Sequence, residues 1–204
     1  TLCALTGRKT IVLSMPINQI KYQHDLSIRH GDWLSSKYKN IEYKLVQLEK
    51  VFQSFEQTLN EFNNEHGFAN SRARLRMATL YQVAAANSGL VVGTGNKVED
   101  FGVGFYTKYG DGGVDISPIA DCTKTQVWEL GKHLDILKEI IEADPTDGLW
   151  NDGRNDVDQL GMSYKDLEKA MVDKNDPKYK KYLEIRKKNL HKINPIPVCK
   201  FDDL

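Results

Sequence analysis

Hydrophobic and polar positions along the chain alternate between strand-like runs and helix-like repeats. Residues 10–13 form a continuous apolar run, as a strand buried on both faces does. Residues 41–48 alternate apolar and polar side chains at their start, which predicts a strand near the edge of a sheet. Residues 90–94, Leu-Val-Val-Gly-Thr, predict a third strand that runs into a glycine turn.

Helical repeats separate these strands. One repeat covers residues 51–59, and another follows Ser71 and stops near Gly89, a residue type that often ends helices. The order strand, helix, strand, helix predicts an α/β fold with an open, mainly parallel sheet and helices on both faces. At 204 residues, the chain has the length of one domain, which we expect to cover residues 1–204.

Three further helices have start signals. Thr123 and Gln126 have the spacing of a capping box, Ser163 precedes a helical repeat, and Asp176-Pro177 predicts a helix with proline at its first position. Residues 144–161 are rich in Asp, Asn and Gly and predict a long loop, which in compact domains is typical of a functional lid or a disordered segment.

Charge and cysteine content narrow the function classes. Lys and Arg total 28 and Asp and Glu total 28, so the formal net charge is zero and no general nucleic-acid-binding surface is expected. Cys3, Cys122 and Cys199 are odd in number and far apart, which favours free thiols in a reducing compartment. No apolar run reaches the about 18 residues of a membrane span, and no secretory signal is present. We therefore expect a cytoplasmic protein.

Glycine is concentrated in residues 93–118, which hold seven of the fifteen glycines. This density predicts close approach of another group to the main chain. Gly93-Thr94-Gly95 follows the third predicted strand, at the sheet edge where open α/β sheets bind ligands. The dinucleotide fingerprint lacks its third glycine and no G-x-x-x-x-G-K-S/T motif occurs, so a dehydrogenase or P-loop kinase is not supported. Ordinary turns remain the alternative interpretation of these glycines.

Charged residues accompany the glycines: Glu99, Lys108, Asp111, Asp115 and Lys124 lie within 26 residues. Carboxylates bind Mg²⁺ in nucleotide sites, and lysines neutralise phosphates. Lys124 also begins a predicted helix whose unpaired N–H groups favour anions. Each of these residues taken alone is more often a solvated surface charge, and only their clustering with glycines favours a nucleotide site.

Several motifs together resemble the ammonia-dependent NAD synthetases, which belong to the ATP-pyrophosphatase group of adenine-nucleotide α-hydrolases. The segments are "GTGNKVED", "FYTKYGDGGVDISPIADCTKTQV", "DPTDGLW", "DQLGMSY" and "HKINPIP". The resemblance runs from about Thr10 to the C-terminus and implies a Rossmann-like fold. It also implies that the nicotinate carboxylate of deamido-NAD is adenylated by ATP, which releases pyrophosphate, before ammonia displaces AMP.

The resemblance assigns roles by motif match. The implied ATP contacts are Thr94, Lys124 and Thr146, with Gln19 near the adenine. The implied magnesium ligand is Glu99. The residues implied to hold deamido-NAD are Arg74, Lys108, Asp115, His191 and Lys192. No side-chain nucleophile is needed, because such phosphoryl transfer relies on alignment and electrostatics.

One family feature is missing from the printed sequence. The family carries a serine-glycine-glycine-x-aspartate-serine loop after its first strand, and these 204 residues contain none. Because Thr1 to Gly7 reads as the end of a helix already under way, we expect a segment upstream and no turnover by these residues alone. The resemblance further implies a homodimer with the dinucleotide near its interface, and it leaves open whether an attached amidase supplies the ammonia.

Two other function classes fit parts of the pattern. Another ATP-pyrophosphatase, an adenylating amidotransferase or a tRNA thiolase, would share the chemistry without the T-K-Y-G-D-G-G-x-D block, and the neutral charge disfavours tRNA. A non-catalytic dinucleotide-binding module is the second class. Taken alone, His191-Lys192 reads as a solvated basic helix face, Arg74 as a surface arginine, and Trp150 as a packing residue.

Overall fold

The computed structural model describes residues 1–150 and 152–201 and has an α/β architecture around a parallel sheet. Strands β1 (Thr10–Ser14) and β2 (Ile41–Leu45) pair in parallel, with Thr10 opposite Ile41 and Ser14 opposite Leu45. Helix α2 (Lys21–Lys37) makes the crossover between them. The predicted first and second strands and their parallel pairing are therefore confirmed.

Helix α2 packs against both strands through its small and apolar residues. Leu26, Gly31 and Leu34 are its buried positions. Gly31 lies under the ring of Tyr43, so that a Cβ at this position would come within 2.4 Å of Tyr43 Cδ2. The sequence pattern did not predict this helix, because its buried positions include a glycine and most of its other residues are polar.

The third predicted strand is reduced to a single parallel bridge between Val92 and Ile116. Gly93 N–H donates to Ile116 O at 2.7 Å, and Asp115 N–H donates to Val91 O at 2.9 Å. Among the described residues, β1 pairs only with β2. Leu13 of β1 and Val92 instead line the same cavity, which is described below.

The remaining helices surround this centre. They are α1 (Leu2–Leu5), α3 (Glu49–Thr58), α4 (Glu65–Ala86), α5 (Lys124–His133), α6 (Lys138–Ile141), α7 (Asp156–Leu160), α8 (Tyr164–Val172) and α9 (Tyr179–Ile193), with a 3₁₀ turn at Asn60–Phe62 and a π-helical segment at Val98–Val103. None of the described helices combines the length and the apolar character that crossing a membrane requires. Cys3, Cys122 and Cys199 are free thiols.

Two helix starts differ from the predictions. Helix α4 begins at Glu65, where the Asn64 side chain accepts from Gly67 N–H at 2.7 Å, whereas Ser71 lies inside the helix and bonds back to Gly67 O. A hydroxyl can satisfy its own helix in this way, so a serine does not always mark a start. Helix α9 begins two residues after Pro177.

The other start signals are confirmed. Thr123 and Gln126 form both hydrogen bonds of a capping box at α5, and Ser163 caps α8. The 144–161 segment differs from a simple loop because it contains α7, whose own capping box joins Asn155 and Asp158. Asn151 in this segment lies outside the described residues.

Buried apolar side chains form two clusters. The larger cluster joins the π-helical segment to α7, α8 and α9, and its members are Val98, Val103, Leu160, Met162, Tyr164, Leu167, Ala170 and Tyr182. The smaller cluster joins Ile17, Leu48 and Phe52 beside the strand ends. Burying one such large side chain contributes about 1.5–3 kcal/mol, so the larger cluster fixes the segments that carry the candidate site.

Candidate functional site

A π-helical turn carries Glu99 directly after the glycine-rich turn. The buried Asn96 side chain accepts hydrogen bonds from Val98 N–H at 3.0 Å and from Glu99 N–H at 3.2 Å. Gly104 ends the turn with a φ of 67°, a conformation that glycine adopts without steric cost. π-helical turns often occur at functional sites, and this one fixes the backbone of Glu99.

The glycines of the turn are in contact with the protein itself. A Cβ at Gly95 would come within 2.3 Å of the Asp100 carboxylate, and a Cβ at Gly93 would come within 2.9 Å of Val114 Cγ2. The close approach that the glycine density predicts is therefore present, but at these two positions its partner is a neighbouring side chain.

Glu99 lies at the centre of a polar network. Lys124 Nζ donates to Glu99 Oε1 at 2.9 Å, and both side chains are largely buried, with 19% and 16% of their surfaces exposed. The Tyr164 hydroxyl lies 2.6 Å from Glu99 Oε1 and 2.6 Å from Asp156 Oδ2. Lys124 Nζ also lies 4.7 Å from the centre of the Tyr164 ring. Residues 65 positions apart in the sequence thus meet at one glutamate.

The pKa values in this network reflect its burial. Burial raises the pKa of Asp156, although the Tyr164 hydrogen bond and the Lys124 charge act in the opposite direction. Burial and the neighbouring carboxylates also raise the pKa of the Tyr164 hydroxyl, which therefore keeps its proton. The pKa of Asp100 is raised to about 6 by burial and by the charges of Glu99 and Asp111.

An open cavity of about 390 Å³ lies against this network, and we name it the acidic cavity. Its polar and charged lining consists of Thr94, Glu99, Asp111, Lys124, Asp144, Thr146, Asp147 and Asp156. Five carboxylates face one ammonium group, so the lining favours a cation or a ligand that brings one.

A second cavity of about 450 Å³ adjoins it, and we name it the apolar cavity. Its lining includes Leu13, Met15 and Val92, together with Met77 and Leu80 of α4. The linings of the two cavities share Thr94, Phe105, Asp111 and Asp147. A flat apolar ligand group in one cavity can therefore lie next to a charged group in the other.

The residues implied to hold deamido-NAD form a chain of contacts. Arg74 Nε donates to Lys108 O at 3.2 Å, and Lys108 Nζ donates to His191 O at 2.7 Å. Lys192 Nζ donates to Gly104 O and Tyr106 O, and burial lowers its pKa. Of these residues, Lys192 lines the apolar cavity.

Asp115 and Gln19 lie apart from the cavity walls. Asp115 accepts from Val91 N–H at 2.7 Å and from the Tyr81 hydroxyl at 3.1 Å, so it anchors the Val92 bridge. The Gln19 amide donates to Gly148 O at 3.0 Å and accepts from Arg76 at 3.1 Å. Gln19 therefore connects the end of β1 to the 144–161 segment.

The start of α5 differs from the expected anion site. Thr125 N–H donates to Glu168 Oε1 at 2.9 Å, and Gln126 N–H donates to the Thr123 hydroxyl at 3.4 Å. Because protein acceptors already use these N–H groups, the positive charge available to a ligand here comes chiefly from Lys124. Thr146, the other implied ATP contact, lines the acidic cavity and donates to Arg154 O at 3.1 Å.

The sequence motifs assign no role to Asp156 or Tyr164, although both belong to the polar network around Glu99. Asp156 lies within a stretch that reads as a loop, and its capping box with Asn155 and Asp158 was the signal that a helix begins there. Tyr164 belongs to the "MSY" part of a recognised motif, but its spacing from Glu99 in the sequence gives no sign of contact. Only the fold brings the two together.

The donor set fits a magnesium ion that arrives with a nucleotide. Asp156 Oδ1 is a buried oxygen without a hydrogen-bond partner among the described residues, and Asp156 and Glu99 line the same cavity. The described His, Cys, Asp and Glu residues form no group of three or more that could bind a metal by themselves. Mg²⁺ commonly uses one or two carboxylates plus substrate phosphates, which agrees with this arrangement.

Comparison with known proteins decides the family. The model of the NAD synthase family matches residues 1–198. The chain belongs to the NAD synthase family. Members of this family are ligases that form a carbon–nitrogen bond, and its α/β fold agrees with the fold described above.

Curated relatives of the chain include two NH(3)-dependent NAD(+) synthetases. The NH(3)-dependent NAD(+) synthetase of Thermoplasma acidophilum is 39% identical over 76% of this chain, which spans 66% of that relative. The NH(3)-dependent NAD(+) synthetase of Archaeoglobus fulgidus is 33% identical over 98% of this chain and 81% of its own length.

Solved structures give the same fold. An NMN synthetase from Francisella tularensis superposes with a TM-score of 0.87 and 29% identity over 98% of this chain and 82% of its own. The NH3-dependent NAD synthetase of Campylobacter jejuni superposes with a TM-score of 0.71 and 22% identity over 97% of this chain and 84% of its own. The predicted mainly parallel α/β fold is confirmed.

Proposed function

We propose that the protein amidates deamido-NAD with ammonia at the expense of ATP, and that it yields NAD, AMP and pyrophosphate. The observation that carries the proposal is the Glu99–Lys124 pair in an acidic cavity that adjoins an apolar cavity. Family membership and the curated relatives support the same reaction. The two cavities suit an aromatic ring beside a phosphate chain that enters with a divalent cation.

The proposed reaction has two steps. An oxygen of the nicotinate carboxylate attacks the α-phosphorus of ATP, and the bond from that phosphorus to the pyrophosphate oxygen breaks. The nitrogen of ammonia then attacks the acyl carbon, the bond to the AMP oxygen breaks, and the amide nitrogen loses a proton to solvent. The first step converts an anion that repels nucleophiles into an acyl group with a good leaving group.

Lys124, Thr94 and Thr146 are the residues we propose to contact ATP, with Gln19 near the adenine. Lys124 Nζ is held at the cavity wall by Glu99, so its charge lies close to the phosphoryl oxygens whose negative charge grows in the first step. We propose that Glu99 holds Mg²⁺, which when bound neutralises phosphate charge. Thr94 and Thr146 lie in the same lining, where the Thr146 hydroxyl would exchange its hydrogen bond to Arg154 O for one to a phosphate.

We propose that Lys192, Lys108, Arg74, His191 and Asp115 hold deamido-NAD. Lys192 lines the apolar cavity, and two backbone carbonyls, Gly104 O and Tyr106 O, hold its ammonium group. Arg74, Lys108 and His191 are linked by hydrogen bonds and follow Lys192 in the same contact chain through the neighbouring His191. Asp115 acts through the Val92 bridge that it anchors.

The assembly and location are also part of the proposal. We expect a twofold homodimer in the cytoplasm that binds neither nucleic acid nor membrane. Exposed apolar side chains, among them Leu90 and Phe101, leave surface for a second copy of the chain. Light scattering on the protein as it elutes from a size-exclusion column measures its molar mass. A mass of two chains would support the homodimer.

A second candidate substrate is the mononucleotide. The structure with a TM-score of 0.87 to this chain is an NMN synthetase, which favours amidation of nicotinate mononucleotide at the same site. The chemistry of the amidation would be unchanged, since both substrates carry the same nicotinate carboxylate. The two candidates differ only in whether an adenylate half must be bound.

The deciding experiment measures products from parallel reactions. The protein is expressed from its complete gene and incubated with ATP, Mg²⁺ and ammonium, together with deamido-NAD or nicotinate mononucleotide. We expect NAD and pyrophosphate in equal amounts from deamido-NAD, with a higher kcat/KM than for the mononucleotide. The reverse preference would support the NMN synthetase.

Two other outcomes would contradict both candidates. Pyrophosphate release that requires a different acceptor would indicate another ATP-pyrophosphatase. Binding of deamido-NAD without any turnover, measured by calorimetry, would indicate a non-catalytic dinucleotide-binding module.

A further inference from the structure

Asp156 has an unusual environment for a carboxylate. It is the first residue of α7 and is 4% exposed. Asp156 Oδ2 lies 2.6 Å from the Tyr164 hydroxyl, whereas Asp156 Oδ1 has no hydrogen-bond partner among the described residues. A buried carboxylate oxygen without a partner costs free energy. This cost is understandable if a ligand of the cavity completes the site.

The start of α7 does not satisfy that oxygen. Asp158 N–H donates to Asn155 Oδ1 at 2.9 Å, and Asp156 N–H donates to Pro145 O at 2.9 Å. Asn155, with Asp158, therefore performs the capping that an acidic residue at a helix start often provides. A role in capping α7 therefore does not account for the burial of Asp156 Oδ1 without a hydrogen-bond partner among the described residues.

Tyr164 fixes Asp156 relative to Glu99. The hydroxyl of Tyr164 contacts one oxygen of each carboxylate at 2.6 Å, and the tyrosine itself is 3% exposed within the larger apolar cluster. A buried ring in a packed cluster has little freedom to move. The two carboxylates are therefore presented to the acidic cavity as a preorganised pair.

The charge of the acidic cavity requires a cation when a triphosphate enters. Its lining holds five carboxylates and one ammonium group, that of Lys124. At distances of a few ångströms, repulsion between these carboxylates and the phosphates is poorly screened. Thr94 and Thr146, the neutral oxygen donors in the lining, cannot offset that repulsion.

We propose that Asp156 joins Glu99 as a carboxylate ligand of the divalent cation that accompanies ATP in the acidic cavity, with Tyr164 as the residue that positions the pair. This inference rests on the proposed function for the identity of the nucleotide. Two carboxylates plus phosphate oxygens and water satisfy the preference of Mg²⁺ for six oxygen ligands. The second carboxylate is supplied by α7, far along the chain from the glycine turn that carries Glu99.

The test measures cation binding directly. Mn²⁺, a spectroscopic substitute for Mg²⁺, is titrated into the chain without nucleotide, and free Mn²⁺ is followed by electron paramagnetic resonance. We expect Asp156→Asn to weaken Mn²⁺ binding by about 10-fold or more, as loss of a ligand or its close support does. Tyr164→Phe, which keeps the ring and removes the hydroxyl, should also weaken binding by about 10-fold.

Asp144→Asn is the matched control. Asp144 lines the same cavity but is exposed to solvent, so this change removes the same charge from the cavity without removing the buried oxygen pair. We expect it to weaken Mn²⁺ binding by less than about 3-fold, because exposed charges are screened. If Asp156→Asn and Asp144→Asn weakened Mn²⁺ binding equally, Asp156 would contribute only its charge and not a ligand oxygen. That result would overturn the inference. Native affinity in Asp156→Asn would overturn it as well.

Folding of the variants is checked by thermal unfolding. Asp156→Asn removes a buried charge, so we expect its midpoint to equal or exceed that of the native chain. Should this variant fail to fold, Asp156→Ser gives the same comparison. Because no nucleotide is present, this titration does not test NAD formation. A protein that fails to bind Mn²⁺ as expected could still make NAD, and one that makes no NAD could still bind Mn²⁺ as expected.

Discussion

The fold alters the protonation of Asp100 near neutral pH. Its carboxylate lies against Gly95 and next in sequence to Glu99, and partial burial with the charges of Glu99 and Asp111 raises its pKa from 3.8 to about 6. The folded chain therefore holds this proton over a pH range in which the unfolded chain has released it. Asp100 consequently stabilises the fold at low pH and loses that contribution as the pH rises towards 6.

The first prediction is that Asp100→Asn stabilises the chain near neutral pH. Above pH 6 the native chain must keep a repelled carboxylate ionised, and asparagine removes that repulsion. The free energy of unfolding should exceed the native value at about pH 7.5 and approach it at about pH 4. Urea unfolding at both pH values, with a chelator to exclude cations, measures the difference.

Asp135→Asn is the control for this measurement. Asp135 lies in the exposed turn after α5, so its replacement should change the unfolding free energy little and equally at both pH values. A gain from Asp100→Asn that is independent of pH would mean that packing against Gly95, and not the charge, causes it.

Helix α5 is the element that delivers Lys124 to the site. Its capping box at Thr123 fixes the first turn, and Glu168 of α8 binds both the N–H and the hydroxyl of Thr125. A lysine at the first position of a helix is disfavoured by the helix dipole, and the pair with Glu99 offsets this cost. Lys124 is therefore favoured at this position by its contact with Glu99 in the site, and not by the helix dipole.

The second prediction concerns the charge on α5. In the protein expressed from its complete gene, Lys124→Gln should lower the kcat of pyrophosphate release by about 10²-fold or more, because a positioned charge on the phosphoryl oxygens is lost. The adjacent Glu99 also loses its ionic partner. Steady-state kinetics with a pyrophosphate-coupled assay measure the change.

Lys132→Gln tests the same change on the same helix away from the site. Lys132 is 58% exposed and pairs with Glu129, a surface contact worth little. Its kcat should stay within about 2-fold of the native value, since surface substitutions have small effects. A similar loss in both variants would point to general destabilisation of α5.

Across the whole molecule, the larger apolar cluster holds the pieces of the site together. Val98 lies next to Glu99 in the chain, Leu160 ends α7, and Tyr164 belongs to both the cluster and the polar network. Leu167 is fully buried among them. The packing of this cluster therefore determines the positions of site residues, because a shift of one of its helices also moves Glu99, Asp156 or Tyr164.

The third prediction is that Leu167→Ala destabilises the fold by about 2–5 kcal/mol, the cost of a cavity in a packed core. Urea unfolding measures this loss. Val172→Ala on the same helix α8 is the control, because Val172 is 86% exposed and its truncation should cost less than about 0.5 kcal/mol. Comparable losses from the two changes would contradict the prediction, because alanine has a higher helix propensity than either residue and only the burial of Leu167 distinguishes the two positions.

The sequence by itself determined the elements whose signals are local. The apolar run of β1, the capping box at Thr123 and the α/β order all follow from period, capping chemistry and chain order, and the structure confirms them. The motif residues Glu99 and Lys124 were also placed in one site, where the structure pairs them. Local signals suffice here because neighbouring residues generate them.

Only the tertiary structure decided which distant groups complete the site and which glycines face the protein. Gly95 packs against Asp100, and the third strand shrinks to the Val92 bridge, because contacts from outside each segment determine both. The Tyr164 hydroxyl joins Glu99 to Asp156 only because the larger cluster packs α7 and α8 against the π-helical turn. Such long-range packing leaves no periodic trace in the sequence.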